Sequence, residues 1–306
     1  MNFKENSSMN FNTPILFTIF NRPHTTKRVF DVIKKIQPSI LYIAADGPRM
    51  DRAGEELLCK TTREITEVID WPCDVYRKYS KRNLGCKLGM SSAINWFFEN
   101  VEQGIILEDD CLPVLSFFSY CEDLLKRYAD NTKIKMITGD NFLMGKRFTT
   151  DSYYFSRIPS IWGWATWRRA WKEYDLNMST YQDFIKKEKI KKIFDNKKMQ
   201  NYWLRSFSRL HAGKIDTWDG QWVYAIYNND GISITPTVNL VSNIGFGKEA
   251  THTKTEEVLS DLHTEEMTIL THPSSIVVNT KADSYLFEAI FHKPFFTRLI
   301  NKIKNI

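Results

Sequence analysis

The chain has 306 residues, 42% hydrophobic and 14% aromatic, with 42 Lys and Arg against 36 Asp and Glu for a formal charge of +6. That length can bury a full core, and that composition excludes a generally disordered chain. A mild positive balance suits an anionic substrate or membrane surface and gives no reason to expect a nucleic-acid partner.

Residues 1–12 are polar and predict a flexible N-terminus. Ile15 to Phe20 then predicts a strand, and Thr25 is expected to cap a helix whose apolar stripe is Val29, Val32, Ile33 and Ile36. Ile40 to Ala44 predicts the next strand, ending in the turn signal Asp46-Gly47-Pro48. A helix with Leu58, Thr62, Ile65 and Ile69 on one face follows, then an alternating strand from Cys73 to Tyr79. Gly89 to Val101 predicts a helix with Ile94, Phe97, Phe98 and Val101 inward. Gly104-Ile-Ile-Leu107 predicts a strand buried on both faces, and a helix carrying Cys121, Leu124, Leu125 and Tyr128 comes after it. This alternation predicts an α/β fold, a Rossmann-like and mostly parallel sheet flanked by helices.

Beyond it, Tyr153 to Ile158 predicts a strand, and Ile161 to Trp171 is rich in tryptophan. Phe184 to Leu210 is an amphipathic helical stretch, with seven lysines between Lys186 and Lys198 that suit a solvated face. No linker or repeat interrupts the chain, so one domain is expected over 13–255, with an extension over 256–306. From Asp283 to Ile306, apolar residues interleave with Lys293, Arg298, Lys302 and Lys304. Such a basic amphipathic tail either lies in a membrane interface or packs on the domain. The five cysteines, odd in number and without a Cys-x-x-Cys, argue against a disulfide framework or zinc site and for a cytoplasmic protein. No signal peptide and no run of ~18 apolar residues is visible.

The chemistry concentrates where the predicted strands end. Glu108, Asp109 and Asp110 follow an apolar strand, and open α/β sheets place ligands at that edge. Three adjacent carboxylates suit either a divalent cation completed by substrate phosphates or the cap of the next helix. Asn21, Arg22, Asp46 and Asn83 follow the other strands. Asp46 and Asn83 suit a base and ribose, and Arg22 suits phosphates, although each also occurs in ordinary turns. The chain lacks Gly-x-Gly-x-x-Gly, the P-loop signature, a Gly-x-Ser-x-Gly elbow and His-Glu-x-x-His. These absences count against dinucleotide oxidoreductases, P-loop NTPases, serine hydrolases and zinc proteases.

Ile106-Leu-Glu-Asp-Asp110 resembles the metal-binding strand end of GT-A fold glycosyltransferases, which use nucleotide-sugars. Phe20-Asn-Arg-Pro23 and Trp218-Asp-Gly-Gln-Trp222 are similar to segments of the Golgi N-acetylglucosaminyltransferase family that initiates complex N-glycans. Gly245-Phe-Gly247 with His252 is similar to a later segment of that family. Arg82-Asn-Leu-Gly85 with Ala93 and Asn95 resembles family 2 transferases. Pro159 to Trp167 resembles a block in bacterial surface-polysaccharide transferases.

The resemblance implies a GT-A fold with a helical acceptor-side C-terminal part, a nucleotide-sugar donor (a UDP-sugar first), and a glycan or lipid-linked acceptor. It implies a divalent cofactor, Mn2+ or Mg2+, held by Asp110 with His252 as a further ligand, and donor contacts from Glu108 and Asp109. Asp219 is the expected catalytic base, with Asp216 in reserve, and Trp162 and Trp164 are expected to stack on sugar rings. Asp219 also suits a helix N-cap. Two other readings stay open: a nucleotidyltransferase that makes the sugar nucleotide, and a non-catalytic carbohydrate-binding protein.

Overall fold

Ile15–Ile19 forms β1 with every residue buried, as a strand covered on both faces requires. The computed structural model describes residues 11–246 and 262–291. After β1 come α1 (Pro23–Ile36), β2 (Ile40–Ala45), α2 (Glu55–Ile65), β3 (Asp74–Tyr79), α3 (Gly85–Asn100) and β4 (Gln103–Glu108). A short β5 (Cys111–Pro113) leads to α4 (Ser116–Arg127), β6 (Ile134–Thr138), β7 (Tyr153–Ser156) and β8 (Trp164–Trp167). Helices α5 (Arg168–Trp171), α6 (Tyr181–Lys186), α7 (Lys189–Ile193), α8 (Lys197–His211) and α9 (Asp219–Asn228) follow. The last elements are β9 (Ile232–Pro236), β10 (Val241–Asn243) and α10 (Thr280–Leu286), the last continued by a π-helical turn over Phe287–Phe291.

The predicted mostly parallel, Rossmann-like sheet is present. Eight strands run in the order β3-β2-β1-β4-β8-β6-β9-β7. β1 pairs in parallel with β2 and β4, β2 with β3, and β6 with β9. Only β8, between β4 and β6, and the edge strand β7 run antiparallel. The chain winds outward through β1, β2 and β3, then returns to the other side of β1 as β4. That reversal opens a crevice at the carboxyl ends of β1 and β4, where ligands bind in open α/β sheets.

Several local expectations are corrected. Thr25 does not cap α1: the helix starts at Pro23 with Arg22 at the N-cap, and the Thr25 hydroxyl donates to the Arg22 carbonyl at 3.3 Å. Proline's fixed φ makes it a natural first helical residue. On α2, Leu58 is 44% exposed and the inward residues are Glu55, Cys59 and Thr62. Glu55, bound to Arg49, turns that face inward. The lysine-rich stretch breaks into three helices, because Glu188 is left-handed (φ 48°) and Asn196 caps α8 by accepting from the Lys198 N–H at 2.8 Å. The tryptophan-rich segment becomes the central strand β8.

Below the sheet's carboxyl edge, Trp164 and Trp222 form an aromatic core with Trp171 and Trp218. Residues 262–291 pack on the body. Glu266 caps α4 by accepting the N–H groups of Leu115 (3.0 Å) and Ser116 (2.8 Å). Buried Asp283 accepts the Ser156 hydroxyl at 2.6 Å and the Arg157 N–H at 2.9 Å, and Phe287 and Phe291 pack against Tyr202 on α8. The 255/256 boundary and the tail beyond 291 lie outside the described residues. No helix among the described residues is long and apolar enough to cross a membrane.

Candidate active site

A cavity of about 530 Å3 opens at the carboxyl edge of the sheet, with Arg22, Asp46, Asp110, Trp162 and Asp219 among its walls. Its size falls within the ~300–1,000 Å3 of small-molecule sites.

At its centre, β1 and β4 lie side by side with Thr18 opposite Glu108. This register brings the ends of both strands together. Asp109 accepts the Phe20 N–H at 3.0 Å. Arg22 pairs through one terminal nitrogen with Asp109 at 2.6 Å and through the other with Asp110 at 2.8 Å. Burial raises the Asp109 carboxyl to about 6, against the opposing pull of Arg22. Burial also holds Glu108 well above the usual carboxylate range, reinforced by Asp110 and Asp109. Burial disfavours the Arg22 charge, but Asp109, Asp110 and Glu108 outweigh it and raise the guanidinium above its ordinary value. Three acids therefore face one guanidinium, and the buried Arg22 Nε has no hydrogen-bond partner among the described residues. Acids outnumber the single cation, so the centre suits an anionic ligand only when a cation is brought in with it. Gly245 lies directly over the Arg22–Asp110 pair, leaving no room there for a side chain, and the Ile244 N–H donates to the Asp110 carbonyl at 2.8 Å.

At one end, Asp46 and Asn83 form a single hydrogen-bonded unit. Asp46 accepts from the N–H of Gly47 (2.8 Å) and Leu84 (2.9 Å) and from the Asn83 amide (3.0 Å). Asn83 also donates to the Gly47 carbonyl at 3.0 Å and accepts the Gly85 N–H at 3.1 Å. Burial raises the Asp46 carboxyl, offset by those backbone donors. Much of the pair's bonding capacity thus goes into joining the loops after β2 and β3. A Cβ on Gly47 would stand 2.5 Å from the Arg82 backbone. Gly47→Ala is therefore expected to destabilise the fold by about 1–3 kcal/mol, as overpacking does; thermal melts check this. Asn21 does not line the cavity: its amide donates to Glu55 at 2.9 Å, and Arg49 faces the cavity instead.

At the other end, Asp219 opens α9. One of its oxygens accepts the Gly220 N–H at 2.7 Å and the Thr217 hydroxyl. Asp216 accepts the Lys87 N–H at 3.4 Å at the start of α3. Both aspartates line the cavity. Trp162 does too, its ring edge-on to Phe142 (4.8 Å) and Phe246 (5.6 Å). Trp164 departs from expectation: it is 0% exposed and stacked on Trp218 at 5.6 Å, so neither face is open to a sugar. β8 is an interior strand buried throughout, so its first residue, Trp164, is covered, while Trp162 on the turn before it is not.

His252 lies outside the described residues. Among those that are described, no three His, Cys, Asp or Glu side chains are grouped to hold a metal ion. The oxygen-only centre still fits Mg2+-type binding, in which one or two carboxylates act with substrate phosphates. Sequence reasoning missed Arg49, Glu55 and buried Asp140. The signal for Asp140 is its place just after a strand-like stretch, Ile134 to Thr138, as Asp46 follows the strand that ends at Ala45.

No family model matches this chain, and no curated protein matches it. Among solved structures, HddC from Yersinia pseudotuberculosis shares 8% identity over 57% of this chain and 86% of that one, with a TM-score of 0.33. UDP-glucose pyrophosphorylase complexed with UDP-glucose shares 12% over 53% of this chain and 70% of that one, at 0.29. An apo UDP-glucose pyrophosphorylase shares 10% over 72% and 90%, at 0.34. Likeness at this level assigns neither ligand nor activity.

Proposed function

We propose that this chain is a metal-dependent GT-A glycosyltransferase that moves a sugar from a nucleoside diphosphate sugar, a UDP-sugar first, to a glycan or lipid-linked acceptor. The observation that carries this reading is one cavity, at the β1/β4 reversal, walled by the Arg22–Asp109–Asp110 cluster, the Asp46–Asn83 unit and Asp219. The Asp46–Asn83 unit shapes the nucleoside end, and the Arg22 guanidinium in the cavity wall supplies positive charge to the phosphates. Asp110, with Asp109 and Glu108 beside it and His252 as a further ligand, would hold Mn2+ or Mg2+. When bound, such a cation neutralises the departing diphosphate. The second oxygen of Asp219 takes the acceptor hydroxyl's proton as the acceptor oxygen bonds to the anomeric carbon and the bond to the nucleoside diphosphate breaks on the opposite face, inverting the centre. Trp162 offers a flat apolar wall to a sugar ring. The basic tail beyond 291 would bring a cytoplasmic enzyme to the inner membrane face.

Thermal melts with UDP, GDP, CDP and ADP, each with and without MnCl2, test the donor site. Stabilisation by UDP only when Mn2+ is present is expected. No response to any nucleotide under either condition refutes the reading.

A further inference from the structure

Asp140 has no part in the chemistry assigned above, yet it is 0% exposed at the carboxyl end of β6. One of its oxygens accepts the Thr138 hydroxyl and the other the Trp162 backbone N–H at 3.3 Å. The Ser160 side chain is a further donor. Beside these bonds, the Gly139 N–H donates to the Gly163 carbonyl at 2.7 Å. Gly163 has φ +65°, and a Cβ there would stand 2.8 Å from Val241. The turn carrying Trp162 is thus pinned to the loop after β6 and pressed against β10.

The donors set the chemistry. Hydroxyl and amide groups converge on both Asp140 oxygens, which suits a side chain able to accept at both, as a carboxylate is. An asparagine would turn an NH2 toward one of them. No Lys or Arg pairs with Asp140 among the described residues, and burial pushes its carboxyl up to about 7 despite the donors. A buried charge without a counter-ion is costly, and an apolar side chain would serve packing alone at less cost.

We propose that Asp140 is a positioning residue of the site, fixing the Trp162 turn so that the indole forms the wall that meets the sugar of the donor. The ligand's identity rests on the glycosyltransferase reading; the hold on Trp162 does not. The full chain labelled with 5-fluorotryptophan separates the two, with the Trp162 resonance assigned by Trp162→Phe. In Asp140→Asn the Trp162 resonance is expected to shift or broaden while the buried tryptophans keep theirs, and Thr138→Val should give the same change, smaller. In calorimetry with MnCl2, Asp140→Asn should lose about tenfold in affinity for UDP-glucose or UDP-N-acetylglucosamine, the worth of one aromatic contact, and keep its affinity for UDP. A Trp162 resonance unmoved in both variants overturns the proposal, as does an equal loss of UDP and UDP-sugar binding. If the unaltered chain binds no nucleotide, the donor reading fails and the fluorine spectra alone decide the role of Asp140.

Discussion

Changing Asp219 to Asn is expected to lower turnover by ~10²–10⁴-fold, the usual contribution of a positioned base, while binding of the donor is retained. The substitution is informative because it is nearly isosteric. An asparagine oxygen can still accept the Gly220 N–H and the Thr217 hydroxyl that hold Asp219 at the start of α9. What is removed is a carboxylate able to take a proton. Arg22 and the Asp46–Asn83 unit, to which donor binding is assigned in the proposal, keep their own bonds. Steady-state kinetics beside calorimetry with UDP decide the matter: full turnover with weakened donor binding would move Asp219 to the donor site. Asp216→Asn is the control. Asp216 is exposed and holds the α3 backbone at Lys87, so a collapse there, with Asp219→Asn active, would exchange the two roles.

Asp110→Asn is expected to remove the gain in nucleotide affinity that the metal confers, several kcal/mol or about 10³-fold. The side chain of Asp110 is 14% exposed and that of Asp109 is 4%, so Asp110 presents the more accessible carboxylate. Asp109 also holds the Phe20 N–H and keeps its own bond to Arg22, so β1 and β4 should stay joined in the variant. Asparagine offers one neutral oxygen where the carboxylate offers charge. Titrating UDP with and without MnCl2 reads the effect directly. Undiminished metal-dependent affinity would take Asp110 out of the metal site and leave it as the partner of Arg22.

Much of the first half of the fold was legible because its signals are local. The runs predicted as strands at 15–20, 40–44 and 104–107 became β1, β2 and β4, and the residues after them reached one edge, as parallel strands joined by helices require. Later elements were harder to see. β8 is an antiparallel strand inserted between β4 and β6 from a distant part of the chain, and its Trp-Ala-Thr-Trp stretch reads equally well as a binding block. Trp162 and Trp164 are two residues apart and similar in sequence context, yet one lines the cavity and the other is sealed in the core. Where the strand begins decides between them: Trp164 is the first residue of β8, which is buried throughout, and Trp162 stands on the turn before it.

The sequence by itself determined the α/β class, the run of strands that ends in Glu108, Asp109 and Asp110, and the set of polar residues at that edge. It could do so because strand periodicity and turn chemistry depend on near neighbours in the chain. Only the tertiary structure decided how those polar residues are spent: Arg22 on two acids, Asp46 on Asn83, Asn21 on Glu55, and Asp140 on the Trp162 turn. Each of these pairings joins separate elements at hydrogen-bonding distance, and a buried polar group must find its partner wherever the packed chain places one.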